Sequence, residues 1–118
     1  MRYLLLIYAN ENDYETLSPP QREGLLTDYT EFTKSIVQSG HFKAADRLRP
    51  VSTATSVRLR DGKPMITDGP FAETREQLGG YYLVDAKDLD EAIEIATRIP
   101  SVRYGTIEVR PIWQMDDY

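Results

Sequence analysis

A chain of 118 residues with 41% hydrophobic and 28% charged side chains has the size and composition of one globular domain with its own core. Its formal net charge of -5 speaks against a nucleic-acid partner, which needs concentrated Lys and Arg. The absence of cysteine excludes disulfides, a thiolate nucleophile and every Cys-based metal site.

Tyr3 to Tyr8 is apolar at both alternating sets of positions, which predicts a central strand covered on both faces. That run is shorter than the ~7–15 apolar residues of a signal peptide, and nothing approaches the ~20 of a membrane span. The expectation is a cytoplasmic protein with no membrane partner. Ala9 to Leu17 reads as a polar surface connection. Ser18-Pro19-Pro20-Gln21 then opens a helix, with Ser18 as N-cap, Pro19 at the first helical position and Gln21 completing a capping box. Leu25, Tyr29, Phe32 and Ile36 form its apolar face, with Leu26, Thr33 and Val37 alongside, and Gly40 ends it.

Phe42 to Leu48 reads as a short edge strand ended by Pro50. Thr55 to Arg60 alternates, with Thr55, Val57 and Leu59 on one side, and Asp61-Gly62 is a strong hairpin signal. Pro64 to Asp68 returns, with Ile66 facing opposite to Met65 and Thr67. The stretch from Thr67 to Gly80 reads as a loop longer than a plain hairpin needs, turned by Gly69-Pro70 and released into the next strand by Gly79-Gly80. Tyr81 to Val84 is a second central strand. Asp88-Leu89-Asp90-Glu91 caps a second helix whose buried stripe is Leu89, Ala92, Ile93, Ala96 and Ile99, ended by Pro100. Thr106 to Ile112 is a half-buried strand closed by Pro111.

This order predicts a single α+β domain over residues 1–118, a ferredoxin-like βαββαβ sandwich with an added hairpin strand. Two helices cover only one sheet face, yet both central strands are apolar on both faces. Leaving three or four such side chains in water would forgo roughly 1.5–3 kcal/mol each. The second face is therefore expected to pair with its copy in a homodimer; the competing cover is a folded-back Trp113 and Met115.

Asp68-Gly69-Pro70-Phe71-Ala72-Glu73-Thr74-Arg75-Glu76, followed by Leu78-Gly79-Gly80-Tyr81-Tyr82, resembles the signature of the YCII-related, DGPF-type proteins. Thr55-Ser56-Val57-Arg58, Leu89-Asp90-Glu91-Ala92 and Glu108-Val109-Arg110-Pro111 agree with it. The resemblance implies a dimeric α+β barrel and, for some members, links to alternative sigma factors. Some members of the wider group carry a His on the first helix, thought to work with an Asp as a catalytic pair; that position is here approximately Tyr29. Arg75 stands where the motif usually has Lys.

The single histidine rules out a His-cluster metal site within one chain, and there is no glycine-rich phosphate loop. No cofactor is expected. Asp68, Glu73 and Glu76 are the candidate catalytic carboxylates, one of them raised in pKa if desolvated near Phe71. Arg58, Arg75 and Arg110 are candidates to hold an anionic small organic ligand, with Phe71, Tyr82 and His41 as further ligand-binding candidates. In the structural alternative Asp68 bonds the turn backbone, Phe71 plugs the core, and Glu73 and Glu76 pair with arginines. Two functions stay open: a small-molecule-binding regulatory module, and a lyase or isomerase using Asp68, Glu73 or Glu76 for proton transfer.

Overall fold

A computed structural model describes residues 1–117, of which Asp117 is described in its backbone alone. Strand β1 (Arg2–Ala9) leads through a short helix α1 (Glu11–Glu15) into the long helix α2 (Pro19–Gln38). Strands β2 (Phe42–Arg47), β3 (Thr55–Arg60), β4 (Lys63–Asp68) and β5 (Gln77–Asp85) follow, then helix α3 (Leu89–Thr97) and strand β6 (Thr106–Pro111). Four strands form one antiparallel sheet in the order β2-β5-β1-β6, consistent with the ferredoxin-like arrangement read from the sequence. Both predicted central strands are central, and β2 is an edge.

The helix ends follow from local chemistry. The Ser18 hydroxyl accepts from the Gln21 N–H at 3.3 Å, and the Gln21 side chain accepts from the Ser18 N–H at 2.8 Å. Ser39 is the C-cap, and Gly40 next takes φ +84°, the left-handed conformation that glycine adopts at least cost. Asp88 caps α3 through the Glu91 N–H, whereas the Glu91 side chain bonds the Lys87 N–H just outside the helix. Helix α1 replaces the expected polar connection. It is one short segment capped by Asn10, whose side chain accepts from the Asn12 N–H at 2.9 Å.

The core lies between the sheet and the two longer helices. Tyr3, Leu5 and Ile7 of β1 and Tyr82 and Val84 of β5 point into it. Phe32 and Ile36 meet them from α2, and Ala92, Ile95 and Ala96 from α3. The α3 stripe thus differs from the expected one. Ile95 is fully buried, while Leu89 and Ile93 remain 48% and 44% exposed, because the short helix turns only one narrow face to the sheet. On α2, Leu26 and Val37 flank the core without entering it.

Strands β3 and β4 pair with each other as a two-stranded ribbon separate from the four-stranded sheet. Asp61 and Gly62 both take positive φ, 51° and 74°, the conformation of the tight hairpin turn their sequence signalled. The molecule is a plate, 49 × 47 × 19 Å, and its thinnest dimension accommodates one sheet and one helix layer. Trp113 and Met115 are 66% and 84% exposed, so these two side chains do not seal the helix-free face. No helix among the described residues is long and apolar enough to cross a membrane.

Candidate functional site

The helix-free face carries the other half of each strand's alternation. Strand β1 contributes Leu4, Leu6 and Tyr8, half-buried by their neighbours. Strand β6 sends Ile107 and Val109 to the core and leaves Thr106, Glu108 and Arg110 on this side. The register sets Leu6 opposite Glu108 and Tyr8 opposite Thr106. On the other flank, Leu4 faces Leu83 and Leu6 faces Tyr81 across β5. The face is therefore apolar along its centre and polar along β6 to the end where Thr106 meets Tyr8.

At that end an open hollow of about 450 Å³ is lined by Tyr8, Glu76, Thr106 and Glu108. The Thr106 hydroxyl donates to the Glu76 carboxylate at 2.8 Å, and the Tyr8 hydroxyl reaches Glu108 at 3.5 Å. Glu76 is held there by the chain that follows it. The Gln77 amide donates to the Thr74 carbonyl at 2.6 Å, while its oxygen accepts from the Glu11 N–H at 3.0 Å. The Glu11 carboxylate in turn accepts from the Val51 N–H at 3.0 Å. Nearby on β5, the Tyr81 hydroxyl donates to Asp46 at 2.7 Å, a bond that raises the phenol pKa by stabilising its protonated form.

Of the carboxylates singled out in the sequence, Glu76 lies in the hollow. Asp68 ends β4 opposite Thr55 and is exposed, as is Glu73. The loop is tied at its start by the Gly69 N–H to Ala54 and by the Ser56 hydroxyl to the Gly69 carbonyl, at 2.7 Å each. Phe71 is 79% exposed, so within one chain it neither plugs the core nor desolvates a carboxylate. Arg58 lies on the ribbon and Arg75 on the loop, both exposed. Arg110 shares the helix-free face, two positions from Glu108. Tyr82 is interior: its ring packs edge-on against Phe32 at 5.1 Å, and its hydroxyl bonds Thr33 at 2.6 Å. Burial pushes its pKa up.

His41 sits in a pattern with the outline of a Ser-His-acid relay. Its Nδ1 is 2.6 Å from the Ser39 hydroxyl and its Nε2 is 3.0 Å from Glu91. The backbone around it offers no support for acyl transfer by that route. The N–H groups of Ser39, Gly40 and His41 are bonded to the carbonyls of Ser35, Val37 and Ile36, leaving none of these three to stabilise an oxyanion. A helix C-terminus also repels developing negative charge. The trio is a clip between the end of α2 and the start of α3.

Tyr29 bonds the buried Ser101 hydroxyl, which lies 3.5 Å from the Tyr104 hydroxyl. Burial, opposed by the Ser101 bond, leaves the Tyr29 pKa raised. This group is a neutral hydrogen-bonding hydroxyl at physiological pH, so it cannot serve as the base that a histidine supplies.

The sequence matches the family described as "YCII-related domain" over residues 1–116. The chain belongs to the YCII-related family. A protein of Rhizobium meliloti (strain 1021), described as uncharacterized, is 35% identical over 114 residues, covering 95% of this chain and 92% of that one. The likeness runs across the strands that build the hollow as well as the loop that resembled the family's signature.

Reading the sequence missed Tyr8, Thr106 and Glu108. Their signal was the polar half of the Thr106–Arg110 alternation. It becomes a site only once the register brings Thr106 beside Tyr8 and the β5 loop delivers Glu76 to both.

Proposed function

We propose that this YCII-related chain is a small-molecule-binding module whose ligand occupies the hollow at Tyr8, Glu76, Thr106 and Glu108. The observation that carries this reading is the convergence of two carboxylates and two hydroxyls on one concave end of the helix-free face. Two carboxylates together favour a small organic ligand that presents an amine, a guanidine or several hydroxyl donors. Arg110 borders the same face and would meet an anionic group on that ligand. A homodimer formed through the helix-free faces would roof the hollow, adding the enclosure that a small-molecule site needs. In the sigma-factor setting implied by the family resemblance, the chain would act as a regulatory, ligand-responsive partner.

A second reading, proton transfer of lyase or isomerase type, is favoured by one arrangement. Glu76 and Glu108 share a hollow with the Tyr8 hydroxyl, so one carboxylate could take a proton and a neighbouring group return it. Glu76 is then the catalytic candidate ahead of Asp68 and Glu73.

A thermal-shift screen of small amines, guanidines and amino acids separates these readings. A ligand at about 100 times its dissociation constant adds about 2.7 kcal/mol of stability. The expected result is a shift that Glu76→Gln and Glu108→Gln both abolish without changing the unliganded Tm by more than a few degrees. Turnover of the hit that Glu76→Gln removes while binding persists would establish the enzyme. Binding that survives both substitutions would contradict the site.

A further inference from the structure

The β3–β4 ribbon is amphipathic and its apolar side covers nothing. The pairing Val57 with Ile66 and Leu59 with Pro64 puts these four side chains on one face. Val57, Leu59 and Ile66 are 66%, 65% and 69% exposed. The opposite face carries Ser56, Arg58, Arg60, Lys63, Met65 and Thr67, a composition suited to water. An isolated two-stranded ribbon is marginal by itself and needs a surface for its apolar side.

The same chain has a vacant surface of matching form. A groove of about 730 Å³ runs along α2, lined by Tyr29, Thr30, Thr33, Lys34, Val37 and Gln38. At about 100° per residue, Asp28 and Ser35 lie on the α2 flank that faces Arg103 and Arg98. Thr33 and Val37, with the 66% exposed Leu26, lie on the other flank. That flank overhangs β2. Thr33 bonds the Tyr82 hydroxyl, and the Tyr82 ring packs at 6.5 Å on Phe42 of β2. Strand β2 terminates the sheet, so its outer edge has no strand beside it.

We infer that the ribbon is an exchanged arm. In a pair of chains, each arm extends the partner's sheet beyond β2 and packs Val57, Leu59 and Ile66 beneath the partner's α2. The dimensions agree, since β2, β3 and β4 each have six residues. Strand β3 is the pairing edge, because Pro64 in β4 lacks an N–H and suits the new outer edge. The arm's base is fixed to its own body by Leu48 N–H to the Gly79 carbonyl at 2.8 Å and by Val51 N–H to Glu11. Val57, Leu59 and Ile66 stay exposed in the single chain, so the arm does not fill its own groove, and a second copy is the occupant. Reciprocal exchange gives the same contact twice and closes the pair.

The chain contains no cysteine, so single thiols can be placed at will. Full-length Ile66→Cys and Val37→Cys chains, mixed at micromolar concentration, would be treated with a short bis-maleimide. The mixture is expected to give a covalent species of twice the chain mass, at least tenfold above either variant alone. Adding Val57→Glu to the Ile66→Cys chain is expected to cut that yield tenfold with the circular dichroism unchanged. Three results would each overturn the inference: no intermolecular product, a yield indifferent to Val57→Glu, or an intrachain link in the double variant diluted into excess wild type. The readout needs no ligand, so it stands or falls separately from the hollow.

Discussion

The bond between Glu91 and His41 makes a pH prediction that differs from that of an ordinary surface pair. The Lys87 N–H, followed by the His41 hydrogen bond and charge, holds the Glu91 carboxyl below its usual value against the opposing effect of burial. A depressed carboxyl contributes stability that is complete above the unfolded-state pKa and is lost as pH falls through the folded one. The wild-type Tm should therefore fall below about pH 4.3, the ordinary glutamate value, more steeply than the Tm of Glu91→Gln. Parallel curves for the two proteins would show that the clip contributes nothing. Glycines give a sharper contrast. A Cβ on Gly80 would lie 2.7 Å from the Asp46 carbonyl oxygen, whereas one on Gly24 would meet nothing within 4 Å. Gly80→Ala should cost about 1–3 kcal/mol, while Gly24→Ala, in a helix interior, should gain up to about 1 kcal/mol. Urea unfolding of both variants decides it.

At the scale of elements, the two α3 isoleucines measure which face of the helix is buried. Ile95→Ala should cost about 2–5 kcal/mol, because that site is fully enclosed. Ile93→Ala, at 44% exposure, should cost well under half as much. Equal costs would restore the stripe expected from periodicity. Much of this level was legible because its signals are local. Ser18 with Gln21, Gly40, Asp88 and Asp61-Gly62 each act through neighbours a few residues away, and each marks the structural feature it announced. Helix α1 was not legible, since five residues carry no measurable apolar period and Asn10 alone announces it. The start of β5 was misread for a related reason. Gly79 and Gly80 look like chain breakers, yet both lie inside the strand, where Gly80 permits the close passage of β2.

At the scale of the whole molecule, the candidate site was half legible. Glu76 stood out because it belongs to a distinctive loop, but its partners Tyr8, Thr106 and Glu108 come from the two ends of the chain. Only strand register unites them, and register is a long-range property that local patterns do not carry. The helix-free face poses the remaining large-scale question. Leu4, Leu6 and Leu83 form its half-buried apolar centre, while Trp113 and Met115 of the tail stay largely exposed. In the proposed dimer, Leu6→Asp should yield monomers by light scattering at micromolar concentration with secondary structure retained. A wild-type monomer at that concentration would remove the dimer from the account.

The proposed ligand site is the hollow at Tyr8, Glu76, Thr106 and Glu108. An NMR titration of uniformly ¹⁵N-labelled protein with the best amine or guanidine from the thermal-shift screen tests it most directly. The largest amide shift changes are expected to centre on Tyr8, Glu76, Thr106 and Glu108 and to vanish in Glu76→Gln. Changes centred on the α2 groove at Thr33 and Val37, or on Asp68 to Phe71, with the hollow silent, would contradict it.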